Sequence, residues 1–165
     1  MGYRLDVVAD SVAEAVRQAG GLMFDRCRTG WRVVVVTADD THADALAILG
    51  VRAESPGTVG AENTKRDRNF RTVAGPLGLL ATSRDIRADS WLLWGDEPGE
   101  GPIGVLQPAR HQLSAAARAF KTQALRRAGL PPCGAAEERF WLRDHVPSPA
   151  GRDRSGSRSP TVVGG

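Results

Sequence analysis

Lysine is almost missing from this chain. Lys65 and Lys121 are the two lysines among 22 basic residues, and the rest are arginine. With abundant alanine and glycine, that bias is the mark of GC-rich coding, so arginine number alone is discounted as a functional signal. Cysteine is as scarce. Cys27 and Cys133 lie far apart and fit no metal-ligand spacing. That excludes a disulfide framework and a zinc knuckle and suits reduced cytosolic thiols. Arg4, Asp6 and Asp10 interrupt any apolar leader, and no apolar run approaches a membrane span. Asp6 stands where a myristoylation signal needs Ser or Thr. The expectation is a cytoplasmic protein without membrane contact. P-loop, G-x-S-x-G and H-E-x-x-H patterns are also missing, which removes the commonest enzymatic routes. A net charge of +3 permits anions but does not demand them.

What is present begins at Trp31–Ala38. Four consecutive valines, Val33–Val36, suit a strand buried on both faces, as in a parallel sheet covered by helices. Ser90–Gly95 is a second such run and Val51–Ala53 a short third. Ser11-Val12-Ala13-Glu14 matches a capping box. From there Val12, Ala15, Val16, Ala19, Leu22 and Met23 recur at helical spacing towards Gly30. Gly20-Gly21 either allows a close approach or breaks that helix. Thr41 reads as the N-cap of a helix over 42–49. Residues 55–75 read as loop, and Pro76 opens a helix carrying Leu77, Leu79, Leu80 and Ile86. Arg110–Ala128 reads as the clearest helix, ended by Gly129 and Pro131-Pro132. Residues 135–145 form a last helix or strand.

The fold class is therefore α/β: a small three-layer sandwich with a short, mainly parallel sheet of Rossmann-like topology. Residues 1–145 make one domain, and 146–165, rich in Pro, Ser, Gly and Arg, make a disordered tail. Strand 31–38 is expected at the centre, flanked by 51–53 and 90–95. A ligand cleft then lies between the first and third strand ends. Asp39, Asp40, Thr41 and His42 would line it from one side, Asp96 and Glu97 from the other.

Three functional readings follow. The leading one is a non-enzymatic binding or regulatory module acting on a protein partner or small ligand, with no catalytic residue and no cofactor. The second is a nucleic-acid-associated protein using Arg66, Arg68 and Arg71 around Phe70, together with Arg118 and Lys121 on a basic helix. The bland alternative for both basic segments is solvated surface. The third is a Mg²⁺-dependent phosphotransfer enzyme with hard oxygen ligands at Asp39, Asp40 and Asp96. Against it, acids at helix starts serve the dipole alone, so a metal is left open. Gly99–Gly104 matches G-x-G-x-x-G, but it follows the wrong strand, holds Pro102 and sits among acids, which argues against a dinucleotide. An exposed Trp94 or Trp141 would mark a homodimer or partner surface.

Ala19–Arg26, Ala47–Gly50 and His111–Leu125 resemble segments of a family of small uncharacterised actinobacterial proteins from high-GC genomes, over residues 8–128. The resemblance implies no activity, fold or ligand.

Overall fold

Val33, Val34, Val35 and Val36 are all buried, with two facing each side of a sheet. The computed structural model describes residues 2–58, 69–82, 85–99 and 106–144. Within these, the chain runs β1 (Tyr3–Val8), α1 (Val12–Arg28), β2 (Arg32–Val36), α2 (Ala43–Ile48), β3 (Arg52–Glu54), a 3₁₀ turn (Pro56–Thr58), β4 (Phe70–Pro76), α3 (Leu79–Thr82), β5 (Ser90–Trp94), β6 (Gln107–Gln112), α4 (Ala115–Arg127) and β7 (Glu137–Asp144). The sheet order is β3-β2-β1-β4-β5-β7-β6. The pairings from β3 to β5 are parallel; β7 is antiparallel to both β5 and β6. The sheet is thus mixed, with a parallel portion and an antiparallel flank.

This order corrects the expected one. Strand 31–38 is not flanked by 51–53 and 90–95: β1 and β4 lie between β2 and β5. β1 alternates Arg4 and Asp6 with Leu5 and Val7, but its two charges are out of keeping with a parallel strand covered on both faces. Asp6 is fully buried and lies 2.7 Å from Arg4 Nε and 2.6 Å from Arg71 Nη2. A buried charge of this kind is tolerated only when paired. Phe70–Gly75, expected as loop, belongs to β4 and pairs with β1 and β5. Residues 107–112 form β6, including Arg110–Gln112, expected to open a helix. Its alternating exposed side chains are those of an edge strand. The helix begins instead at Ser114, whose hydroxyl accepts the Ala117 amide. Pro76 ends β4 rather than opening a helix, and α3 is one turn long.

α1, α2 and α4 cover one face, where Leu5, Val7, Val33, Val35 and Ala74 meet Val12, Val16, Leu22, Met23, Leu46 and Leu125. Val73, Trp91 and Leu93 on the other face pack against Leu77, Leu79, Leu80, Ile86 and Ala88 around α3. The expected tail, 146–165, lies outside the described residues, as do Gly101–Gly104. No helix among the described residues is long and apolar enough to cross a membrane.

Candidate functional site

The carboxyl ends of β1 and β5 are tied together by one side chain. Ser11 caps α1 by accepting the Glu14 amide at 3.2 Å. Glu14 does not close the capping box on Ser11. Its Oε2 accepts the Asp10 amide at 3.0 Å and its Oε1 accepts Trp94 Nε1 at 3.2 Å. Both oxygens of Glu14 are therefore engaged in fixing the first turn of α1 over the end of β5. Trp94 is buried rather than exposed. Trp141 is half-buried and donates its indole N–H to the Gly95 carbonyl.

Beside this junction opens a cavity of about 340 Å³. Arg17 and Gln18 of α1 form one wall, Trp94, Gly95 and Asp96 a second. Lys121 lies on the α4 side, and Cys133, Ala135 and Glu137–Arg139 complete the lining. The volume is at the small end of the range for small-molecule sites. Lys121 is 5% and Glu138 2% exposed at the side chain, with Lys121 Nζ 2.9 Å from Glu138 Oε2. Glu138 also accepts the Gly21 amide at 3.1 Å and the Leu22 amide at 2.6 Å from the middle of α1. Burial pushes the Glu138 carboxyl up, against the lowering effect of Lys121 and the two amides. At the rim, Arg17 and Asp96 make no hydrogen bond or ion pair with other described residues, whereas Arg139 is held by Glu137 at 3.1 Å.

The sequence-predicted groups fall differently. Asp39, Asp40, Thr41 and His42 follow β2, and Asp96 and Glu97 follow β5, with β1 and β4 between. Three inter-strand spacings separate the two groups by roughly 14 Å, so they do not come from neighbouring strand ends as expected. Asp39 accepts the Thr41 amide at 3.0 Å, and these Thr41 hydrogen bonds hold its carboxyl below the ordinary value. The residue preceding α2 is His42, in the left-handed region at φ 66°, not Thr41 as expected. Arg66 and Arg68 lie outside the described residues. Arg71 is engaged with Asp6. Arg118 is exposed on α4, but Lys121 is inside, so the two do not make one basic face. Arg110 sits on β6.

Pattern reading missed Glu138 and treated Lys121 as surface. The usable signals were the Gly20-Gly21 pair and a lone lysine in an arginine-rich helix. A second polar cluster was also missed. Ser114 Oγ donates to Asp25 Oδ1 at 2.6 Å, and His111 Nε2 lies 2.9 Å from Asp25 Oδ2. Both groups converge on the carboxylate, so serine and histidine are not in relay, and the cluster locks α1 to the start of α4. Among the described residues no three His, Cys, Asp or Glu side chains converge as metal ligands.

No family model matches the chain, and no curated protein matches it by sequence. Solved structures do match in fold. The A40926 pseudoaglycone deacetylase superposes with a TM-score of 0.62 at 14% identity, covering 90% of this chain and all of that one. A triple mutant of a deacetylase from the teicoplanin biosynthetic pathway gives 0.57 at 14% identity, covering 88% of this chain and all of that one. The zinc-inhibited form of the teicoplanin deacetylase gives 0.55 at 14% identity with the same coverage. These neighbours correct the expectation of a non-catalytic binding or regulatory module. These three structures, alike over 88–90% of this chain, are deacetylases, and neither the nucleic-acid nor the phosphotransfer alternative finds support among them.

Proposed function

We propose that this chain is an N-deacylating hydrolase whose substrate carries an acyl amide small enough to enter the cavity at the end of β5. The observation that supports this reading is the likeness to deacetylases over 90% of the chain. The parallel order β3-β2-β1-β4-β5 supports a Rossmann-like reading of that half of the sheet, and such sheets bind ligands beyond their carboxyl ends. Amide hydrolysis needs a base to take a proton from water, a donor for the developing oxyanion and an acid for the leaving amine. Asp96 is the rim carboxylate that no other described residue holds, and it serves as base and then acid in this reading.

Zinc does not fit the residues described. A catalytic zinc takes about three protein ligands, and no such set converges here. Glu14 is committed to Trp94 and Asp10, and Asp39 and His42 follow the carboxyl end of β2, three strand positions from β5. No step of the reaction is assigned to a metal. Acetate release from N-acetyl amino sugars and N-acyl glycopeptides tests the reading. Turnover that falls at least tenfold in Asp96→Asn supports it. No release from any N-acyl compound by the full chain overturns it.

A further inference from the structure

We propose that the cavity over Lys121 is a binding site for the oxygen of a small acyl group, as carboxylate or amide carbonyl, held by the Lys121 ammonium. The choice of an acyl group rests on the deacylation reading above; the site itself rests on geometry. An ammonium carries three N–H donors. Among the described residues Lys121 Nζ has one acceptor, Glu138 Oε2. That carboxylate also receives the Gly21 and Leu22 amides. Two N–H groups of a buried lysine that lines the cavity are thus without an acceptor among the described residues. A buried donor without an acceptor is costly, and an oxygen entering the cavity would supply one.

The lysine is placed there by the backbone opposite. A Cβ on Gly20 would come within 3.2 Å of Lys121 Cγ, so the bare helix face at Gly20 lets the stem pass between α1 and α4. Lys121 and Glu138 cancel in charge, which leaves the floor of the cavity neutral overall but donor-rich. Arg17 and Asp96, unpaired among the described residues, add one charge of each sign at the rim. An anion or carbonyl end on Lys121, with a nitrogen end towards Asp96, satisfies the Lys121 donors and the Asp96 carboxylate. That is the polarity of an acyl amide and of the carboxylate and amine it yields. A cavity of about 340 Å³ admits an acyl group with part of its carrier, not a whole glycopeptide.

The test is ligand-observed NMR on the full chain in chelated buffer, with sodium acetate and N-acetylglucosamine as probes. Wild type should bind acetate, and Lys121→Met should weaken binding about tenfold or more, as expected for loss of a charged hydrogen bond. Because that variant leaves Glu138 unpaired and can unfold, Ala135→Trp provides the second arm. It fills the cavity from its exposed side while keeping the ion pair, and it should abolish binding with an unchanged circular dichroism spectrum. Failure of wild type to bind either probe overturns the site, as does binding indifferent to Ala135→Trp. If acetate binds and depends on Lys121 while no N-acyl compound is hydrolysed, the site stands and the deacylation reading falls. If hydrolysis occurs and acetate binding ignores Lys121, only the site falls.

Discussion

The Leu22 amide, in the middle of α1, donates to Glu138 Oε1 of β7 at 2.6 Å. A strand carboxylate thus reaches the backbone of a helix 116 residues away in sequence, with the Lys121 ammonium on its other oxygen. This junction joins α1, α4 and the antiparallel flank. Removing one partner leaves the other charge buried, which typically costs 3–5 kcal/mol. Glu138→Ala should lower the urea midpoint by an amount corresponding to about 3–5 kcal/mol. The double variant Lys121→Met with Glu138→Leu should recover most of the loss, since hydrophobic replacement of a buried pair is often neutral. A double-mutant cycle showing additivity within about 0.5 kcal/mol would refute the coupling.

Gly21 makes that approach possible. A Cβ there would overlap Leu113 Cγ and stand 3.0 Å from Glu138 Oε1. In an exposed helix, Gly→Ala gains about 1 kcal/mol. Here the overlap with a buried leucine should reverse the sign, so Gly21→Ala should destabilise by about 1–3 kcal/mol. A thermal midpoint equal to or above wild type would show that Leu113 can move aside freely.

The valines of β2 and the apolar spacing of α1 were legible because each element carries its own burial signature. β1 was not. Its Arg4 and Asp6 read as interruptions, and they make sense only once Arg71, 65 residues further on, is placed beside them. β6 was hidden because an edge strand with polar side chains has no periodicity to separate it from the helix that follows. The same non-locality hid the cavity. Lys121 lies among arginines in sequence, and its partner Glu138 sits beyond a proline-rich turn in a segment with no distinctive pattern. Asp39 and Asp96 were visible as strand-end acids, but their separation depends on a strand order that local pattern does not carry.

Asp6 offers a direct check of the central strand. It sits on the sheet face of Val73, Trp91 and Leu93, and Arg71 reaches it with Nε at 2.8 Å. Asp6→Ala would leave Arg4 and Arg71, both largely buried, without their shared carboxylate. The expected cost is about 3–5 kcal/mol, read as a shift in the denaturant midpoint. A change below about 1 kcal/mol would mean that the arginines escape to solvent and that the pair contributes little.

Asp25 gives the protein an acid-side dependence. Burial raises its carboxyl, but the Ser114 hydroxyl and amide and the His111 ring outweigh it and hold the group below its ordinary 3.8. A carboxyl depressed in the folded state contributes stability that is present above 3.8 and is lost as pH falls through the folded value. Asp25→Asn should cost about 1 kcal/mol at neutral pH and should flatten the stability profile below pH about 4. Equal acid slopes in wild type and variant would assign the acid loss to other carboxylates.

Zinc tests how far this chain departs from the neighbour solved in a zinc-inhibited form. A metal bound at one hundred times its dissociation constant stabilises the folded state by about 2.7 kcal/mol. With no convergent donor set among the described residues, roughly millimolar zinc should leave the thermal midpoint unraised. It should lower it if Cys27, Cys133 and the histidines bind the ion in the unfolded chain, because ligands of the unfolded state destabilise. On the proposed reading, N-acyl hydrolysis should correspondingly survive dialysis against EDTA. Stoichiometric zinc retained through that dialysis, with a raised midpoint, would mean that the chain builds a metal site and that the carboxylate-based reaction at Asp96 is wrong.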